Sequence, residues 1–306
     1  MADLINGGLP FRSDQLADLG LTSKSLRAML HEHEVRHVFR RVYVATGVPD
    51  SRELRATALH LVMPPHGVLY GCTSAWLLGV DTLPPADWLN FVPTCVIPHG
   101  KTRCTIRGVR SVEGYIPTSD TTEVEGLRLT VPVRTTVDLL RTLRRPYAKS
   151  AADAMARAGY VTADDVRDYL KHLKGFPGII QARELVGLIE PQHESAGESW
   201  QDLRLVDAGY PRAEPQYRVY DHKGRLIARL DHAYPLQRVG IEYDGAEFHD
   251  HEDDQEEDDR QRTYLRDVLR WRIIVNRQDD VLGKADAFER QVGEYLGLSP
   301  QLPRLW

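Results

Sequence analysis

The stretch Arg229-Leu-Asp-His-Ala-Tyr-Pro-Leu-Gln-Arg-Val-Gly-Ile-Glu-Tyr-Asp-Gly-Ala-Glu-Phe-His249 constrains this chain most, because it sets three carboxylates on two neighbouring strands. Leu226, Ala228 and Leu230 alternate, so a strand there carries Ile227, Arg229 and Asp231 on its opposite face. Tyr234-Pro-Leu-Gln237 turns the chain. In the strand that follows, Val239, Ile241 and Tyr243 share one face and leave Gly240, Glu242 and Asp244 on the other. A hairpin then gathers Asp231, Glu242 and Asp244 at one end of a sheet. Like charges that close repel strongly in a partly dry site unless a proton or a divalent cation neutralises them. Hard oxygen donors of this kind suit Mg²⁺ or Mn²⁺.

The rest of the composition bounds the context. A chain of 306 residues with 42% hydrophobic content has room for two or three buried cores. Cys72, Cys95 and Cys104 are odd in number and lack CxxC spacing, so they are expected to be reduced and structural, with neither a disulfide framework nor a zinc site. No apolar run reaches the length of a membrane span, and Met1 to Asp14 lacks the basic-then-apolar order of a signal peptide, so no membrane partner and a cytoplasmic location are expected. The net charge of -5 hides an asymmetry. Residues 1–189 carry 23 Lys+Arg against 19 Asp+Glu, whereas residues 190–306 carry 16 against 25, so the two parts stand at +4 and -9. The run Asp250 to Asp259 alone holds eight acids and reads as a solvated loop.

The N-terminal basic part has a recognisable pattern. Ser13 can cap a short helix bearing Leu16 and Leu19, Gly20 ends it, and Thr22 or Ser23 opens a second helix, to about His33, with Leu26, Met29 and Leu30. The β-branched, basic segment Val35 to Ala45 then reads as a wing. In a winged helix the second helix, with Arg27, enters the major groove of duplex DNA while Arg36, Arg40 and Arg41 meet phosphates. Gly8 to Ala45, ending Arg-Arg-Val-Tyr-Val, resembles the N-terminal winged-helix domain of AbiEi-type antitoxins. Leu54 to Gly79, with Tyr70-Gly-Cys-Thr-Ser-Ala-Trp-Leu-Leu-Gly79, resembles the region that follows that domain in many actinobacterial proteins. Strands are expected at 91–97, 105–110 and 127–131. Helices are expected from Pro132, over 151–158, over 163–173 and over 179–188. No catalytic constellation shows in this middle region, which is expected to join the two ends and to offer a surface to a protein partner.

The C-terminal part begins near Glu190-Pro191. Ser195 and Glu198 form a capping-box pair opening a helix with Trp200, Leu203, Leu205 and Val206. Strands at 214–220 and in the acid-bearing hairpin, a helix over about 258–270, a strand over 271–276 and a last helix over 279–296 complete the order αβββαβα. Glu198, Asp231, Glu242-Tyr-Asp244, His249, Arg260 and Trp271-Arg-Ile-Ile-Val, in that order, resemble the PD-(D/E)XK nuclease superfamily, and more closely its very-short-patch-repair-like branch. The resemblance implies that Asp231 and Glu242 hold Mg²⁺ or Mn²⁺, with Asp244 a further ligand or a water-orienting group. It implies catalytic support from Glu198, His249 and Arg260. The chain departs from the superfamily at Asp244, where the motif has Lys.

The expected fold class is therefore α+β and multidomain. It comprises an N-terminal winged helix (1–50), a mixed α/β middle region (51–189) and a C-terminal restriction-endonuclease-like αβββαβα domain (190–306). The leading functional expectation is a metal-dependent DNA endonuclease targeted by its winged helix. The alternative is an antitoxin-like, DNA-binding transcriptional regulator whose nuclease-fold domain is inactive. The oligomeric state is left open.

Overall fold

A computed structural model of the chain describes residues 5–84, 91–102, 108–245 and 262–306. Among the described residues it is a mixed α/β chain with three sheets. Two compact units account for it, Met1–Arg141 with Asp164–Pro177, and Thr142–Ala163 with Gly178–Trp306. Among the described residues no helix is long and apolar enough to cross a membrane.

The first unit opens with β1 (Phe11–Arg12), α1 (Ser23–His31), β2 (Val35–Phe39) and β3 (Val42–Ala45), the strands forming an antiparallel sheet in the order β1-β3-β2. Residues 13–20 are turns, not the expected short helix. Their amides bond mainly three residues back, as in Asp18 to Gln15 and Gly20 to Ala17. So short a segment does not repay helix nucleation. Its Leu16 and Leu19 instead pack with Phe11, Leu26, Val35 and Tyr43 into a small core. The second helix forms as expected because Thr22 caps it. Its hydroxyl accepts from Ser25 N (3.0 Å), while Ser25 Oγ accepts from Thr22 N (2.8 Å).

Next come α2 (Arg52–His60), β4 (Val68–Leu69), α3 (Cys72–Leu77), β5 (Thr94–Ile97), β6 (Arg110–Glu113), β7 (Thr121–Val124), β8 (Leu127–Thr130) and three helices, α4 (Pro132–Thr142), α5 (Arg145–Arg157) and α6 (Ala163–His172). The strands form one sheet in the order β6-β5-β4-β8-β7. Phe39 meets Trp76 and Phe91 edge to face, and those two rings are tilted against each other, with ring centroids 5.4–6.5 Å apart. Cys72 is half-buried and Cys95 buried, while Cys104 lies outside the described residues. The residues of α6 from Asp164 onward belong to this unit, where Tyr169 and Arg134 both bond Asp120, at 2.5 and 3.0 Å.

The second unit takes α5, then α7 (Ile179–Leu185), α8 (Ala196–Asp207), β9 (Glu214–Tyr220), β10 (Leu226–Tyr234) and β11 (Val239–Tyr243). The helix α9 (described over 262–267), β12 (Arg272–Asn276), α10 (Gln278–Leu282) and α11 (Ala287–Leu296) complete it. β9, β10 and β11 form an antiparallel meander and β12 joins β11 in parallel, giving the order β12-β11-β10-β9. One face packs Ile241, Val239 and Ile274 against Leu205 of α8 and Phe288 and Val292 of α11. The other packs Ala228, Leu230 and Ala233 with Leu265 of α9 and Trp271. Gly240 is dictated by that second layer, since a Cβ there would lie 2.7 Å from Leu230 Cδ1 and 2.8 Å from Ile273 Cδ1. The expected last helix is two helices. The backbone leaves helical geometry at Gly283 (ψ 176°) and resumes after Asp286.

Candidate functional site

The acid cluster is assembled by α8, β10 and β11. Ser195 caps α8 by accepting from Glu198 N (3.2 Å), which aims the Glu198 side chain back along the chain, where its Oε2 accepts from Glu194 N (2.9 Å) and from Gln216 Nε2 (2.7 Å). Glu198 is only 5% exposed. Across the sheet, His232 pairs with Ile241 and Ala233 with Gly240, so Asp231 immediately precedes these paired residues of β10 and lies within reach of the charge of Glu242 on β11. Asp231 Oδ2 accepts from Tyr243 N at 2.7 Å. Burial, and then the charges of Glu198 and Glu242, push the Asp231 carboxyl up to about 7 against the opposing pull of the Tyr243 amide. Glu242 meets Arg262 of α9 at 3.1 Å, and its carbonyl accepts from Gln201 Nε2 at 3.1 Å.

Asp244 continues past β11. Its amide bonds Asn276 O (2.8 Å) and its Oδ2 accepts from Arg277 at 2.9 Å. The structure thus sets Glu198, Asp231 and Glu242 in electrostatic reach of one another, with Asp244 beside an arginine from the end of β12. His249 and Arg260 lie outside the described residues, as does the acidic run. Among the described residues no three His, Cys, Asp or Glu side chains converge as a metal-binding group.

Several participants were not singled out from sequence. Gln201 and Gln216 bond the acids or their backbone, and Gln201 could have been found as the residue one turn beyond Glu198 on the same helix face. Beneath α8 lies a wholly buried ion network. Lys149 Nζ donates to Asp153 Oδ2 (2.5 Å) and stands 3.3 Å from Asp202, and His193 Nδ1 donates to Asp153 at 2.8 Å. Burial opposes ionisation of Asp153, yet Lys149 and His193 together hold its pKa below the ordinary carboxylate value. His232, fully buried and beside His193, is held down to about 3 by burial and is therefore neutral, its Nε2–H donating to Glu198 O at 3.0 Å.

At the other end of the chain α1 buries Leu26 and turns Lys24, Arg27 and His31 outward, one basic face at i, i+3 and i+7 with no acid in the helix. Arg40 and Arg41 form the exposed tip of the β2–β3 hairpin, Arg41 at φ 68°. The tip is braced by Arg40 N donating to Phe91 O (3.1 Å). Arg36 is half-buried and donates to Val48 O at 2.9 Å.

Residues 67–188 match the AbiEi antitoxin C-terminal domain family. The match covers less than half of the chain and lies downstream of Gly8 to Ala45, so the AbiEi-like part of the expectation is supported through the middle region. The chain is also 31% identical over 173 residues to the uncharacterized protein Rv2248 of Mycobacterium tuberculosis strain H37Rv. The uncharacterized protein MT2308 of strain CDC 1551 is similar to the same extent. Each alignment covers 56% of this chain and 63% of the relative, so the chain spans less than two thirds of these relatives' length.

Proposed function

We propose that this protein is a DNA-binding regulator of the antitoxin kind, in which residues 1–50 act as a winged helix that docks on duplex DNA. The observation that carries this reading is the AbiEi match at residues 67–188, downstream of a segment whose α1 turns only cationic and neutral side chains outward. Lys24, Arg27 and His31 suit the major groove, and Arg40 and Arg41 at the hairpin tip suit the flanking phosphates. Titrating the protein with duplex DNA from its own promoter at several salt concentrations tests it. Affinity should fall linearly with salt on logarithmic axes, and Arg40→Ala or Arg41→Ala should weaken all sequences alike and lower the slope by about 1 each. Failure to retain DNA even at low salt would sink the reading.

A second reading is favoured by one observation, the partly buried Asp231 beside Glu198 and Glu242. The meander β9-β10-β11 followed by α9 and a parallel β12 supports a nuclease-like αβββαβα arrangement for 190–306. The residues fit Mg²⁺ or Mn²⁺, because every donor is a hard oxygen and two buried amide oxygens nearby, of Gln201 and Gln216, have no partner among the described residues. Asp231 and Glu242 would hold the ion, which when bound polarises a phosphate and acidifies water. Tyr243 N orients Asp231, Gln216 and Glu194 N hold Glu198, and Arg262 offsets the charge of Glu242. Arg277 brings a guanidinium to Asp244, where the superfamily motif has Lys. Plasmid cleavage in Mn²⁺, compared with Asp231→Ala and Glu242→Ala, decides this reading. Equal activity in all three proteins, or none in the wild type, excludes it.

A further inference from the structure

Two glutamines next to the acids have an unusual hydrogen-bond balance. Gln201 is fully buried, and its Nε2 is committed to Glu242 O at 3.1 Å. Gln216, on β9, commits its Nε2 to Glu198 Oε2 at 2.7 Å, and its own backbone is left-handed there (φ 51°). A carbonyl and a carboxylate accept only, so both amides are fixed in orientation, with Oε1 turned away from these partners. In each case that Oε1 is buried and has no donor among the described residues. A buried acceptor without a partner costs about 1–3 kcal/mol, and each of these belongs to an amide whose nitrogen bonds Glu198 or the backbone of Glu242.

We infer that the amide oxygens of Gln201 and Gln216 complete the oxygen donor set of a divalent-cation site at Asp231, Glu242 and Glu198, either on the ion or on its bound waters. The inference rests on the second reading above and deepens it. Three elements contribute. α8 supplies Glu198 and Gln201 one turn apart, β9 supplies Gln216, and the β10–β11 hairpin supplies Asp231 and Glu242. The three carboxylates alone do not converge as a metal-binding group, and oxygen-rich sites for Mg²⁺ and Mn²⁺ regularly combine carboxylates with amide carbonyls and water. A cation there supplies what each orphaned oxygen lacks, and it offsets the mutual repulsion of the carboxylates.

The test is Mn²⁺ binding to the full-length protein, followed by loss of the free-ion electron paramagnetic resonance signal, in wild type, Gln201→Met, Gln216→Met, Gln201→Glu and Asp231→Asn. The Met side chains keep length without an oxygen, and each should weaken Mn²⁺ binding by about 10-fold or more. Gln201→Glu keeps an oxygen at the same place and should bind at least as tightly as wild type, with a steeper dependence on pH. Met variants within twofold of wild type, while Asp231→Asn loses binding, overturn the inference and leave the cation site standing. A Gln201→Glu variant that binds tenfold more weakly than wild type also overturns it. Absence of Mn²⁺ binding in the wild type overturns the inference together with the reading it rests on. Circular dichroism melts with and without Mn²⁺ give a second measurement. Mn²⁺ should raise the wild-type melting temperature and raise those of the folded Met variants by less, and an equal rise in all of them counts against the inference.

Discussion

Asp231 shows how much one side chain can carry. Its carboxyl, pushed up to about 7 by burial and by Glu198 and Glu242, takes up a proton on folding that an exposed aspartate at neutral pH would not. Between the unfolded value near 4 and the folded value near 7, the native state holds the extra proton, so stability falls as pH rises through that window and levels off above it. The loss should amount to a few kcal/mol, on the scale of about 1.4 kcal/mol per pH unit. Asp231→Asn should therefore flatten the stability profile between pH 5 and 8, as measured by chemical denaturation at several pH values, and a profile as steep as that of wild type would assign the slope to other groups. Lys149 stands at the opposite extreme, a buried cation whose removal strands Asp153 and Asp202. Lys149→Met should cost about 3–5 kcal/mol, because it leaves buried carboxylates uncompensated. A loss under 1 kcal/mol in urea titration would mean that water or Arg212, 3.4 Å from Asp202, takes over.

At the scale of elements, α8 is held on one side by the Tyr243 ring and on the other by α5. A Cβ on Gly197 would fall 2.2 Å from the Tyr243 ring, and Trp200 meets that ring edge-on at 6.4 Å. Gly197→Ala should cost about 1–3 kcal/mol by overpacking and should weaken any function of Glu198, since both ride on the first turn of α8. Measuring stability and ligand binding in the same variant separates the two effects. The α1 helix and the β2–β3 hairpin are the contrasting case, since their outward residues carry little of the fold. Arg40→Ala with Arg41→Ala should shift stability by no more than about 0.5 kcal/mol while lowering the salt slope of DNA binding by about 2, and a large stability loss would recast the hairpin tip as structural. These elements were legible because local signals set them. The alternation in 226–230 and the cap at Thr22 each operate within a few residues. The turns at 13–20 and the break at Gly283 were not legible, because short periodic leucines satisfy a helix pattern whether or not the segment can nucleate one.

For the whole molecule, the grouping of α5 with the acid-bearing sheet has the largest consequence. Arg145 bonds Asp207 at 2.7 Å and Trp200 Nε1 donates to Ser150 at 3.2 Å, so α5 is attached to α8 at its end and its middle, and Asp153 Oδ1 ties α5 to Glu190 N ahead of α8 at 2.9 Å. A fragment of residues 190–306 alone loses Lys149 and Asp153 as well as the apolar stripe of Ala148, Ala152 and Met155. It should show no cooperative thermal transition. A two-state melt of that fragment by circular dichroism would mean that the sheet is self-sufficient. The sequence by itself determined the order of elements from α8 to β12, the placing of Asp231 and Glu242 on the two strands of one hairpin and the basic character of the N-terminal part, because each is written in spacing and composition over ten or twenty residues. Only the tertiary structure decided that Gln201 and Gln216 flank the acids, that Arg277 meets Asp244 and that Lys149 reaches Asp202. Those contacts join residues 18 to 53 positions apart through burial, and burial comes from how the elements pack on one another.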